Sequence, residues 1–181
     1  AGSDLAGIKT TARDEGDHWV VNGQKTFISN GLLSKLVLTA VKTEPSAGHK
    51  GISLLMIEDG MEGFSRGRKL DKIGQFSADT AELFFDNVRV PKNNLVGELN
   101  RGFYHLVSNL PNERVGVACY ALPAARRALE LTKAYALERT AFGQPIGKFQ
   151  VNRHFLAEMQ VKLDAAQTYL DQCVLSVNDG T

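Results

Sequence analysis

Two stretches of the chain carry residue types whose spacing could do chemistry. The first is Leu110-Pro111-Asn112-Glu113-Arg114-Val115, a carboxylate beside a guanidinium where a helix begins. Pro111 fixes the chain just before the helix and Asn112 is a good N-cap. Glu113 then falls in the first turn, where the helix dipole keeps a carboxylate ionised. On the residues alone, a helix-start Glu with no catalytic role accounts for this pattern. The second stretch runs from Glu138 to Gln150: a helix exit at Glu138 and Arg139, a tight turn from Gly143 to Gly147, and a helix entrance at Phe149 and Gln150. Such a corner sets Arg139, Phe142 and Gln150 at one end of a helix pair, where an anionic ligand could be held. The Arg fork matches phosphate oxygens, although an Arg neutralising a helix C-terminus beside Glu138 is an equal reading.

The elements that position these residues change character near residue 98. Before it, short β-type runs alternate with turn residues. Trp19-Val20-Val21 and Gln24 to Ile28, split by Asn22-Gly23, read as a hairpin. Leu36 to Val41, Ile52 to Ile57, Thr80 to Phe85 and Val88 to Val90 are further strands, separated by Glu44-Pro45, Asp59-Gly60 and Asp86-Asn87, and Pro91 ends the last of them. Strands at this spacing predict an antiparallel sandwich or barrel. After residue 98 the period becomes helical. Phe103, Leu106, Val107 and Leu110 form a short amphipathic piece interrupted by Pro111. Val115, Ala118, Cys119, Leu122, Ala125, Leu129, Thr132 and Ala136 line one side of a long helix, and Phe155, Met159, Leu163, Ala166, Leu170, Cys173 and Val177 line another. Two antiparallel helices joined by a short corner make half of an up-down bundle, and they cannot bury both apolar faces alone. The expected class is therefore α+β with two domains: residues 1–97 an antiparallel β-barrel or sandwich, residues 98–181 the start of a helical bundle.

Composition narrows the function. The 181 residues are 43% hydrophobic, enough for a real core, and the net charge of +1 gives no electrostatic case for a nucleic-acid partner. No apolar run approaches the roughly 20 residues of a membrane span. Cys119 and Cys173 fall in helical stretches without metal-ligand spacing, so no metal is expected and both read as buried, inert thiols. No Gly-rich phosphate loop opens a helix: Gly48-His49-Lys50-Gly51 and Gly60-Met61-Glu62-Gly63 are turns. The opening Ala1-Gly2-Ser3-Asp4, without a Met, reads as the cut edge of a longer protein, so the lack of a targeting sequence carries no weight.

Four patches together resemble the acyl-CoA dehydrogenases, FAD enzymes that oxidise fatty acyl thioesters. Ala1-Gly2-Ser3-Asp4 is similar to the tail of that family's first flavin-binding loop, which implies that Gly2 and Ser3 bind the flavin and that Ser3 also lies beside the acyl-CoA. Gly23 to Gly31 resembles the strand against the isoalloxazine ring, with Phe27-Ile28-Ser29 where many relatives have Trp-Ile-Thr. The resemblance implies that Phe27 packs on the ring and that Ile28 and Ser29 lie along its edge; in isolation, Phe27 reads as a core residue of a strand. The corner implies FAD contacts from Arg139, Phe142 and Gln150 reaching across a subunit boundary. The last patch, Phe103-Tyr104 with Leu110 to Val115, departs from most of the family, whose base comes from a downstream loop. A Glu immediately before the Arg resembles the long-chain and isovaleryl members, which implies that Glu113 is the base. Gly67-Arg68-Lys69-Leu70 and Thr80 to Asp86 look most like the long-chain branch. Arg114 is then expected to orient Glu113 or to contact coenzyme A. His49, Lys50 and Tyr104 match positions that touch acyl-CoA, and Pro111 and Asn112 are assigned to the same substrate side.

The resemblance thus implies FAD-dependent α,β-dehydrogenation of a fatty acyl-CoA to the trans-2-enoyl-CoA within fatty acid β-oxidation. Electrons would pass to an electron-transfer flavoprotein. It also implies a homotetramer, in the mitochondrial matrix or the bacterial cytoplasm. Two alternatives stay open: an acyl-CoA oxidase-like flavoprotein that uses oxygen, and a non-catalytic relative serving as a binding or assembly subunit. The 181 residues by themselves are expected to be inactive, because the resemblance leaves an N-terminal helical domain and the rest of the bundle outside them.

Overall fold

The β-forming residues in the first half of the chain assemble into one seven-stranded sheet, seen in a computed structural model that describes residues 2–180. The strands are β1 (Thr11–Asp14), β2 (His18–Ser29), β3 (Leu36–Lys42), β4 (Ile52–Glu58), β5 (Phe64–Lys69), β6 (Thr80–Pro91) and β7 (Leu95–Val96). Their order is β5-β6-β2-β1-β3-β4-β7. Every pairing is antiparallel except a parallel bridge of β1 with β3 at Thr11 and Lys42. The helices follow: α1 (Gly102–Ser108), α2 (Leu110–Glu138) and α3 (Gln150–Asn178), with a small hairpin of β8 (Thr140–Ala141) and β9 (Gln144–Pro145) between the last two. This is the expected α+β class. Two compact units result, the first ending at Ser108 and the second beginning at Asn109.

In the first unit, alternating side chains from β2, β3, β4 and β6 meet in a single core. Trp19, Val21, Val41, Leu55, Ile57, Leu83, Phe85, Val88 and Val90 are buried together, so the sheet curls until its distant strands face one another. The expected hairpin at Asn22-Gly23 does not form, because β2 runs straight through it. The turn-like pair Asp86-Asn87 likewise lies inside β6. The two pairs oppose each other at a register shift, with Val21 opposite Val88 and Gly23 opposite Phe85. The Asn22 side chain satisfies Asn87 from both ends: its Oδ1 accepts from the Asn87 N–H at 2.9 Å and its Nδ2 donates to Asn87 Oδ1 at 3.2 Å. The result is a β-bulge, with Asn87 at φ +52°. Gly23 is required here, since at φ +137° a Cβ would sit 2.8 Å from the Thr10 Cα. The true hairpin is the one before it, between β1 and β2, closed by Glu15 to Asp17.

α1 lies against β4 through Gly102, where a Cβ would come within 2.9 Å of the Ile52 carbonyl and the Ser53 backbone. This close approach fixes the positions of Phe103 and Tyr104. In the second unit, α2 and α3 are antiparallel, as the pairs Arg126 with Gln167 and Lys133 with Gln160 show. Leu129, Ala136, Leu163 and Leu170 are the buried residues of their seam. Phe155 and Met159 stay exposed, as expected of two helices that have only each other. Cys119 is also exposed and Cys173 half-buried, which corrects the expectation of two buried thiols; a single seam covers too little of α2 to reach Cys119. α2 passes through Pro123, which donates no backbone N–H and so leaves the Cys119 carbonyl without its helical partner.

Candidate functional site

The second half of β2 leaves the core and borders a cavity. Trp19, Val20 and Val21 are buried, whereas Gln24, Thr26, Phe27 and Ser29 are exposed. The change follows from a second bulge: Lys25 pairs with Leu83 but Ile28 pairs with Ala81, so Thr26 and Phe27 together oppose one residue of β6. Phe27 takes φ +61°, a left-handed conformation that costs a non-glycine residue roughly 1–3 kcal/mol, and its ring is 77% exposed. The reading of Phe27 as a core residue is therefore overturned; the bulge turns it outward. Gly2, Lys9, Gln24, Lys25, Phe27 and Ile28 line a cavity of about 700 Å³. That lies within the roughly 300–1,000 Å³ of small-molecule sites. Ser3 is exposed between Gly2 and Asp4, and Asp4 Oδ1 accepts the Gly7 N–H at 3.0 Å, closing the 3₁₀ turn Leu5–Gly7.

Lys25 is the residue of this cavity that the sequence reading did not single out. It is half-buried, and its Nζ donates to the Ala40 carbonyl of β3 at 2.7 Å. Burial lowers its pKa to about 8. Two further unassigned residues hold the loop after β2. Asp79 is buried; its backbone carbonyl accepts the Asn30 N–H at 3.1 Å and its Oδ2 accepts the Leu32 N–H at 2.6 Å. Arg66 of β5 donates to the Gly31 carbonyl at 2.8 Å and the Ser34 carbonyl at 2.7 Å while pairing with Asp59. The end of the Phe27-Ile28-Ser29 segment is thus clamped from two sides. No sequence signal marked Lys25, because what sets it apart is its burial in the folded sheet.

A second cluster of the first unit gathers the other candidates. The His49 ring lies 4.8 Å from the Phe103 ring, Phe103 meets Tyr104 edge-on at 5.7 Å, and the Arg101 guanidinium sits 4.2 Å over the Tyr104 ring. Lys50 is exposed beside His49. Beneath them, the Thr43 hydroxyl hydrogen-bonds Ser53 Oγ at 2.7 Å and Asn100 Oδ1 at 2.6 Å, tying the His49 loop to the turn before α1.

In the second unit, Glu113 does lie in the first turn of α2, but the cap differs from expectation. Asn109, not Asn112, precedes the helix, and Pro111 sits within its first two positions. Pro111 is tolerated there because the N–H it lacks would have no helical partner in the first turn, so the helix starts at Leu110, three residues earlier than an Asn112 cap requires. Asn109 Nδ2 approaches Glu113 Oε1 at 3.4 Å, and Asn112 Nδ2 donates to Asn109 Oδ1 at 3.2 Å. Glu113 and Arg114 are both exposed, and among the described residues they form no ion pair with each other. At the corner, Arg139 follows α2 and its carbonyl accepts the Ile146 N–H at 2.8 Å. Phe142, at φ +51° and 96% exposed, meets the Phe149 ring edge-on at 6.2 Å, and Gln150 opens α3 on the exposed side. Gly2, Ser3, Phe27, Ile28, Ser29, His49, Lys50 and Tyr104 thus belong to the first unit, and Pro111, Asn112, Glu113, Arg114, Arg139, Phe142 and Gln150 to the second.

The chain pairs a β-sheet unit that carries a ligand-sized cavity with a helical unit that carries an exposed carboxylate and an Arg corner. Residues 1–88 match the family profile described as acyl-CoA dehydrogenase, middle domain, and residues 100–181 match acyl-CoA dehydrogenase, C-terminal domain. The chain belongs to the acyl-CoA dehydrogenase family. It is 44% identical over 176 residues to the long-chain specific acyl-CoA dehydrogenase of Mus musculus mitochondria, covering 96% of this chain and 41% of that protein. It is 41% identical over 167 residues to the 3-(aryl)acrylate reductase of Clostridium sporogenes, covering 92% and 44%. A crystal structure of an acyl-CoA dehydrogenase from Geobacillus kaustophilus superposes with a TM-score of 0.94 at 47% identity, over all of this chain and 48% of that one. The chain therefore spans less than half the length of these relatives.

Proposed function

We propose that this chain provides part of an FAD-dependent dehydrogenase that converts a saturated long-chain acyl-CoA to its trans-2-enoyl thioester. The observation that carries the reading is the cavity at the bulged half of β2. A flavin ring needs an apolar face and hydrogen-bond donors along its carbonyl edge, and the cavity supplies the outward Phe27 ring together with the Gln24 amide and the Gly2 backbone. When bound, FAD supplies a hydride acceptor. Phe27 would hold the ring face, and Ile28 and Ser29 would lie along its edge. Arg139, Phe142 and Gln150 serve the pyrophosphate and adenosine side, across a subunit boundary in a homotetramer. His49, Lys50 and Tyr104 contact the acyl-CoA.

Glu113 takes the α-proton. Thioester α-protons are weak acids, so a positioned carboxylate contributes roughly a hundred- to ten-thousandfold in rate. The α2 N-terminus, with Pro111 and Asn112 in its first turn, keeps that carboxylate ionised, and Arg114 orients it or the coenzyme A. Electrons leave to an electron-transfer flavoprotein, in the mitochondrial matrix or a bacterial cytoplasm. The test is anaerobic bleaching of the visible flavin band of the intact protein by a long-chain saturated acyl-CoA, in wild type and in Glu113→Gln. Fast bleaching in the wild type that is lost in the variant, with ligand binding kept, supports the assignment. Equal bleaching in both moves the base away from Glu113, and a protein purified without flavin overturns the reading.

A further inference from the structure

Lys25 has no role in the scheme above, yet it is the one half-buried cation of the cavity wall. Its Nζ makes a single hydrogen bond, to the Ala40 carbonyl at 2.7 Å, whereas an ammonium carries three donors. Among the described residues no carboxylate is paired with it: the acidic residue of the cavity lining, Asp4, is engaged at Gly7, and the other cation there is Lys9. From β6, its register partner Leu83 is apolar, and the Glu82 side chain packs toward Gly67 of β5. From β3 the Ala40 carbonyl accepts from it. A cation partly withdrawn from water, with donors to spare and no counter-charge, is an unfavourable arrangement unless something electron-rich completes it.

We propose that Lys25 is a further cofactor-contacting residue, whose ammonium takes an electron-rich oxygen or nitrogen of the bound flavin and makes flavin binding depend on its own protonation. The inference rests on the proposed function and adds to it a named cation and a pH signature. Ligand that binds the charged form raises the affinity of Lys25 for its proton, so by linkage flavin affinity falls as pH rises through the range where free Lys25 titrates. Burial places that range near pH 8, low enough to matter in solution.

The experiment titrates FAD into flavin-stripped intact protein from pH 6.5 to 9.5, as wild type, Lys25→Met and Lys25→Arg. The expected result is affinity that declines across the range in the wild type. Lys25→Arg stays charged and gives a flat, tight profile, and Lys25→Met gives a flat profile about tenfold weaker at the acid end. Parallel profiles in all three proteins overturn the proposal while leaving FAD binding intact. If Lys25→Met does not fold, Lys25→Gln takes its place as the uncharged variant: a flat, weaker profile supports the contact, and a profile matching the wild type in slope and affinity overturns it. A wild type that takes up no FAD overturns the proposed function and this inference with it.

Discussion

At the scale of single residues, Lys25 and Phe27 carry opposite kinds of strain that a bound ligand would relieve. The pKa of Lys25 falls from 10.5 in the unfolded chain to about 8 in the folded one, with burial as the cause. Folding then disfavours the proton: the burial penalty is fully present below pH 8 and is relieved as pH rises from about 8 to 10.5. Lys25→Met should remove this contribution, so its unfolding midpoint should rise less between pH 8 and 10 than that of the flavin-free wild type. Phe27 holds a left-handed backbone with its ring in solvent, so Phe27→Gly should leave stability unchanged or raise it by about 1 kcal/mol, read from the denaturant midpoint, while weakening FAD retention. A stability loss of several kcal/mol would mean that the ring packs in the fold after all. Much of this scale was legible in the sequence, since Phe27, Arg139, Phe142 and Glu113 all project from the elements expected of them. Lys25 was not, because its character comes from being buried, and burial is a property of the folded sheet.

At the scale of elements, β3 and β4 were readable because both are rich in Val, Leu and Ile: β4 is buried along most of its length, while β3 alternates, with Val41 in the core and Leu36 and Leu38 exposed. β1 and β5 escaped notice, since Thr-Ala-Arg-Asp and Phe-Ser-Arg-Gly-Arg-Lys are short and polar and owe their extended form to the strands beside them. The two turn signals inside β2 and β6 misled for a tertiary reason: each absorbs the other as a bulge. Arg66 makes the same point for loops. Its guanidinium joins β5 to the Gly31 and Ser34 carbonyls and to Asp59, and its side chain is only 19% exposed. Arg66→Met should cost about 2 kcal/mol, allowing for the part of the Asp59 pair that water screens. Hydrogen exchange should quicken first at the Leu32 and Ser34 amides; uniform loss of protection across β5 and β6 would instead mean that Arg66 holds the sheet rather than the loop.

At the scale of the whole molecule, burial is unevenly distributed. The first unit holds a ten-residue apolar cluster, while α2 and α3 bury four side chains between them. The sole tryptophan, Trp19, is 4% exposed in that cluster under the Lys92 ammonium, 3.6 Å from its ring centroid. It reports the sheet alone, and helical circular dichroism reports chiefly the second unit. In these 181 residues, denaturant should remove the helical signal before it shifts Trp19 fluorescence, and coincident transitions would show that the two units unfold as one.

β2 divides its labour along its length: residues 19–21 are buried in the sheet, and residues 24–28 line the cavity. The consequence is evolutionary. Selection for a new ligand can rewrite the distal half, one residue at a time, while the proximal half keeps the strand's register and the unit folded. Substitutions from Gln24 to Ser29 should therefore be tolerated for folding far more often than those from Trp19 to Val21, which gives the scaffold room to change what it binds without rebuilding what holds it up.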